Sequence, residues 1–185
     1  MASKIDLISS ALTLIGDVPI NTLDGNSRSQ VVASSLYDNI VNNELTRTRW
    51  GFARTKAQLS LTTEVPLDND FKSIYQLPTD MLILIKINPM VNYKIYGDKL
   101  YCNLTQTLHC DYIYNAPEST WPVYFAKLVE YALAKDFAPS IRDSATAKDT
   151  LKADYFNASA DAMSRDAQQY PQEQIRSNPF VAVRF

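Results

Sequence analysis

Histidine occurs once among the 185 residues, as His109, cysteine twice and glycine four times. Each scarcity removes a class of chemistry. General acid–base catalysis most often uses histidine, and nucleophilic catalysis needs a base within reach of its nucleophile. His109 lies between Leu108 and Cys110 on an expected strand, where adjacent side chains point to opposite faces, so a Cys110–His109 dyad is disfavoured and a hydrogen-bonded structural histidine is expected. A closed zinc site takes four ligands, and no second histidine is present to complete one. The glycines fall neither in GxGxxG spacing nor in the GxxxxGK spacing of a phosphate loop. Catalytic residues, cofactors and metals are therefore all expected to be none. Cys102 and Cys110 read as two small buried apolar groups, with a disulfide as the alternative.

Long apolar runs are missing too. Met81–Ile87 is interrupted by Lys86 and soon ended by Pro89, well short of the ~20 residues that cross a bilayer. The start, MASKIDLISS, is amphipathic and lacks the continuous apolar core of a signal peptide. The chain is expected to be made and kept in a cytosol-like compartment, with no membrane partner. Charge of one sign is also scarce: the formal net charge is -2, with no basic arm or acidic tail. A dedicated nucleic-acid grip needs a concentrated positive field and is disfavoured. A conduit that DNA slides past needs no such attraction.

What is present is ordinary globular composition, 46% hydrophobic and 21% charged. Ser3 can cap a first helix whose Ile5, Ile8, Leu12 and Ile15 fall at helical spacing, with Gly16 as its stop. Residues 17–26 read as an ordered loop. A second helix is expected from Ser27 to Arg49, with Val32, Leu36, Ile40 and Leu45 on one stripe, Tyr37 and Val41 widening it, and Asp38, Asn42, Asn43 and Glu44 solvated. The period then changes. Ala57, Leu59 and Leu61 alternate as a strand should, and residues 62–73 read as a loop. Further strands are expected at 74–78 and at Met81–Ile87, the latter covered on both faces. Residues 93–102 read as a hairpin turning at Gly97, and 107–114 as a last strand.

Helical periodicity returns at Pro122. Phe125, Leu128, Val129, Ala132, Leu133 and Phe137 make a broad face expected to end before Pro139. A fourth helix is expected from Ser144 to Gln169, with Ala147, Leu151, Tyr155 or Ala158, and Ala162 inward. The fold class is α+β: residues 1–54 and 116–169 form a four-helix bundle from both chain ends, 55–115 an inserted antiparallel β module, and 170–185 an extended C-terminal tail.

Two features suggest other chemistry. Glu64, Asp68 and Asp70 cluster in one loop, and paired acids can cleave glycosidic bonds, so a carbohydrate-active tail protein is the alternative function. Tyr93, Tyr96, Tyr101, Tyr112 and Tyr114 could stack sugars or bases, although cross-strand packing or an interface is the plainer reading. Trp50, Phe52 and Trp121 sit at the two joints between helices and strands, where packing is their expected role.

Residues 7–61 resemble the opening of the tail tubular protein A family, the head-to-tail adaptors of podovirus-type short-tailed bacteriophages. Ile15-Gly16, Pro19, Thr22-Leu23, Gly25, Arg49, Trp50 and Phe52 carry the likeness, with Leu77-Pro78, Asp80 and the Trp121-Pro122, Phe125, Leu128 helix start behind them. The resemblance implies a structural virion protein and not an enzyme. It implies a homo-oligomeric, usually dodecameric ring between portal protein and tail nozzle protein, assembled in the host cytoplasm, through which genomic DNA passes. It also implies that the tail reaches the portal, with Tyr170, Ile175, Phe180, Val181, Val183 and Phe185 as candidate docking residues. Independently, an apolar end behind a polar, proline-containing spacer is expected either to fold back or to dock on a partner.

Overall fold

The structure, a computed structural model, describes residues 3–67, 70–142 and 145–169, with side chains from 149 onward in the last segment. It is mixed α/β, with four helices and one six-stranded antiparallel sheet, the strands consecutive between two helix pairs.

Helix α1 (Lys4–Leu14) begins with a capping box: Ser3 Oγ accepts from the Asp6 amide at 3.2 Å, and the Asp6 carboxylate accepts from the Ser3 amide at 3.0 Å. It ends in paired reverse bonds, Gly16 N–H to Thr13 O at 3.0 Å and Asp17 N–H to Leu12 O at 2.9 Å. That closure needs a left-handed residue, and Gly16 supplies it with φ 73°. Helix α2 (Arg28–Arg47) opens with the same device, built from Ser27 and Gln30. Its inward face is rotated from the expected stripe. Ala33, Tyr37, Ile40, Val41 and Leu45 are buried, whereas Val32 and Leu36 are only partly covered. Glu44, expected in solvent, is buried.

The strands are β1 (Arg54–Leu61), β2 (Ser73–Gln76), β3 (Met81–Asn88), β4 (Tyr93–Tyr96), β5 (Lys99–Cys102) and β6 (Leu108–Tyr114). Their order is β3-β6-β1-β2-β5-β4. Laid flat, such a sheet separates its two edge strands by five spacings, about 24 Å. Yet β3 and β4, at opposite edges, are joined by residues 89–92 alone. Five residue steps reach at most about 17 Å, so the sheet has to curl. The corner is in β1, which pairs with β6 over Arg54–Leu59 and passes to β2 only at Ser60 and Leu61. Inside the curl Leu59, Tyr75, Ile87, Leu100, Cys102, Leu108, Cys110 and Tyr112 form a core of their own.

The expected cover of β3 on both faces is only partial: Leu82 and Ile85 pack against the helical core and Met81 and Leu84 against the core inside the curl, but of its eight residues only Ile87 is buried.

Helix α3 (Val123–Arg142) also departs from expectation, running through Pro139 instead of ending before it. Proline removes one helical hydrogen bond and crowds the carbonyl four residues back. Tertiary contacts outweigh that loss: Phe137 and Ala138 are fully buried, and Arg142 at the helix end donates from Nε to Ile15 O at 2.8 Å and from Nη2 to Gly16 O. The extra turn thereby caps α1. Helix α4 (Ala145–Gln168) turns Leu151, Tyr155, Ser159, Ala162 and Asp166 inward, with Ala158 half-buried. The expected inward Ala147, the expected start at Ser144 and the whole tail 170–185 lie outside the described residues or side chains. α3 packs against α1, α2 and α4. Among the described residues no helix is long and apolar enough to cross a membrane.

A Cβ at Gly97, where φ is 62°, meets nothing within 4 Å, whereas at Gly16 it would lie 2.5 Å from Arg142 Nη2. Gly97→Ala should therefore lose only the left-handed backbone penalty, about 1–2 kcal/mol. Gly16→Ala should lose about 1 kcal/mol more through the displaced Arg142 bonds. Urea denaturation of the two variants measures the difference, and equal losses would show that Arg142 does not hold the end of α1.

Candidate assembly site

The joint between helices and sheet is built around Phe125, on the first turn of α3. Phe52, Trp121 and Trp50 surround its ring, with centroids 4.7, 5.0 and 5.1 Å away. The two tryptophans meet Phe125 edge-on, the favoured geometry for rings of opposite edge and face polarity. Each indole N–H is satisfied, Trp50 Nε1 to Glu44 O at 2.7 Å and Trp121 Nε1 to Ala116 O at 2.8 Å. Thus Trp50, Phe52 and Trp121, singled out in the sequence, come together. Phe125 is the member whose central position the sequence did not reveal.

Two buried carboxylates tie α4 to this joint. Asp166, near the end of α4, accepts from the Gly51 amide at 3.1 and 3.2 Å and from the Tyr124 hydroxyl at 2.9 Å. Glu44 is 1% exposed. Its Oε1 accepts from Tyr155 Oη at 2.6 Å, and Arg47 Nη1 lies 3.8 Å from Oε2 while also donating to the Tyr155 hydroxyl. Lys135 Nζ stands 4.2 Å from the centroid of the Tyr155 ring. Burial pushes the Glu44 carboxyl above its ordinary range, against the Tyr155 hydrogen bond and the charges of Arg47 and Lys135. The Tyr155 hydroxyl is raised by burial and by its bond to Glu44. Both acids were legible as positions. Glu44 is seven residues after Tyr37, and Asp166 is four after Ala162, so each continues an inward stripe; counting only apolar residues passed them over.

The other sequence candidates scatter. Both oxygens of Glu64 accept from Lys99 Nζ at 2.6 Å, and that hydrogen bond raises the lysine's pKa. A carboxylate so engaged is poorly placed as an acid or base. Asp70 contributes its backbone carbonyl to Asn103, and Asp68 lies outside the described residues. Among the described residues no group of three His, Cys, Asp or Glu side chains could hold a metal.

The tyrosines divide between faces. Tyr112 is inside the curl, its hydroxyl donating to Asp80 at 3.1 Å and its pKa pushed up to about 12 by burial and that bond. Tyr96 and Tyr101 meet edge-on outside, centroids 5.2 Å apart at 85°. Rings packed face to edge on each other are not a flat stacking platform. His109 is exposed, so it is no packed structural histidine; its strand neighbour Cys110 is buried facing the other way, with its thiol pKa raised by burial. Both cysteines are buried, as the reading of two small apolar groups expects, and they are not bridged in the structure.

No protein-family model matches the chain, and no curated protein matches it. Its residues make a packed joint, where the helices and the sheet meet around Phe125.

Phe125→Ala should destabilise the chain by about 3–5 kcal/mol in chemical denaturation, and a loss under about 1 kcal/mol would place the joint elsewhere. Glu44 gives a pH signature. A carboxyl whose pKa is higher folded than unfolded binds protons on folding, so its contribution is fully present below the ordinary value of 4.5 and is lost as pH rises through the raised folded value. Glu44→Gln keeps an acceptor for Tyr155 without the charge. The wild type should therefore gain stability relative to this variant as pH falls from neutrality towards 4.5, a trend read from parallel urea titrations. A flat difference would show that Glu44 is not held in a desolvated site.

Proposed function

We propose that the chain is a structural subunit of a ring, the head-to-tail adaptor of a short-tailed bacteriophage, and not an enzyme. The observation that carries the reading is that several of the residues behind the family resemblance hold structural positions. Gly16 closes α1, Trp50 and Phe52 pack on Phe125 between helices and sheet, and Asp80 receives the Tyr112 hydroxyl. A motif whose members close a helix end and pack the joint of helices and sheet suits a protein whose function is its shape.

In this reading the four helices act as one bundle that makes the contacts around a homo-oligomeric, dodecameric ring. The β module faces the tail nozzle protein, and residues 170–185 reach the portal protein through Tyr170, Ile175, Phe180, Val181, Val183 and Phe185. Genomic DNA passes through the channel without specific binding, in keeping with a net charge of -2. The location is the neck of the virion. The engaged Glu64 favours this reading over glycan hydrolysis.

Cryo-EM or native mass spectrometry of the chain mixed with its portal on a DNA-filled head should give a closed ring on the portal. A chain that stays monomeric and ignores that template would sink the proposal. Truncation before Tyr170 should leave the fold intact and abolish portal attachment.

A further inference from the structure

β1, β6 and β3 line up two rows of polar side chains on one face of the sheet. Directly paired residues of antiparallel strands share a face, so Lys56, Asp111 and Lys86 form one row, and Gln58, His109 and Asn88 the next. Between the rows Ala57, Cys110 and Ile87 turn to the core inside the curl, so the rows themselves lie outside it. Along β6 this outer face changes character. Ile113 is fully buried in the helical core, Asp111 is half-buried, and His109 is exposed.

Charge on this face is one-sided. Asp111 is engaged twice, with Arg54 Nη2 3.0 Å from its Oδ2 and Lys56 Nζ 3.6 Å from its Oδ1. Lys86, paired with Asp111 from the other strand, is exposed and makes no ion pair among the described residues. Three cations against one carboxylate leave two positive charges, and neither row holds another acid. Gln58, Asn88 and His109 are exposed beside them and add N–H donors. Next to Gly51 the face dips into an open groove of about 400 Å³ lined by Arg54, Thr55, Lys56 and Asp111. The whole-chain charge of -2 conceals this concentration.

That composition selects among partners. Protein interfaces are anchored by aromatic or large apolar side chains, and the two rows contain no aliphatic residue, phenylalanine, tyrosine or tryptophan. Single-stranded nucleic acid stacks its bases on aromatic rings, and one imidazole is no such platform. Anionic membranes are held by clusters of roughly four or more cations. Lysine, arginine and carboxamide groups without a stacking surface are the donors that contact phosphate and sugar oxygens along a duplex. The dimensions agree. Three strands and the five residues 54–58 give a face of about 10 by 14 Å, the length of about four phosphates on one strand of a duplex. We infer that this face, centred on Lys56 and Lys86, binds the backbone of double-stranded nucleic acid weakly and without reading its sequence. The free chain carries the face, so the inference stands apart from the adaptor reading, in which DNA passes without specific recognition.

Fluorescence anisotropy of a labelled, mixed-sequence DNA duplex titrated with the full-length chain tests it. Three phosphate contacts give a slope of log K against log salt of about -2.7, so raising salt from about 30 to about 150 mM should weaken binding roughly 75-fold. Lys86→Ala should make that slope shallower by about 1. Lys56→Glu combined with Lys86→Glu should abolish binding, whereas Lys152→Glu, which reverses an exposed cation on α4, should leave it in place. No binding at about 30 mM salt, or the same loss in Lys152→Glu, would overturn the inference. A single-stranded oligonucleotide bound more tightly than the duplex would overturn it too, as would displacement of the duplex by polyglutamate at equal charge, which would give the face to an acidic protein. None of these outcomes bears on whether the chain forms a ring on a portal.

Discussion

The structure depends on the seating of α3 in the middle of everything else. That one helix touches α1, α2 and α4, its first turn carries the ring on which Trp50, Phe52 and Trp121 converge, and its last residue caps α1. Hydrophobic burial alone would allow the helices and the curled sheet to slide or rotate against each other. Edge-to-face aromatic contacts and two satisfied indole N–H groups leave far fewer arrangements. The same seating explains why Pro139 is tolerated: a helix held along three sides by neighbours can lose one internal hydrogen bond and continue.

The buried polar groups act differently from the exposed ion pairs. Lys4–Asp38 and Arg165–Asp161 lie largely in water and contribute little, because solvent screens them and the long side chains lose freedom. Asp166 is hydrogen-bonded to a backbone amide and a phenol inside the joint, so a carboxylate there specifies where α4 may lie. Glu44 is a harder compromise. It is desolvated, one of its oxygens makes no hydrogen bond among the described residues, and it fixes the relation of α2 to α4 through Tyr155 at some cost in stability at neutral pH.

Much of this was legible in the residues. Ser3, Gly16 and Ser27 marked helix ends because caps act locally, and Gly97 marked the hairpin for the same reason. The order helices, strands, helices followed from the change of period. The misreadings share a cause. Pro139, Glu44 and the thin cover of β3 are decided by partners more than ninety residues away or by position in the sheet, and periodicity carries neither. Composition also could not separate Tyr112, inside the curl, from Tyr96, outside it, because register assigns the face. The candidate site was half legible: its tryptophans announced themselves, but Phe125 looked like any other apolar position of α3.

The attachment of α4 has a mechanical side. A pull on the chain end does not reach the length of α4 first; it meets Asp166, whose two oxygens grip the Gly51 amide and the Tyr124 hydroxyl at the joint itself. Load on the tail is thus delivered beside the aromatic cluster and shared between the sheet and α3. Were Asp166 to let go, the same load would peel α4 away one turn at a time, starting from its C-terminal end. The carboxylate works as a cleat: it decides whether tension on the chain beyond α4 moves the whole folded body or merely unwinds that helix.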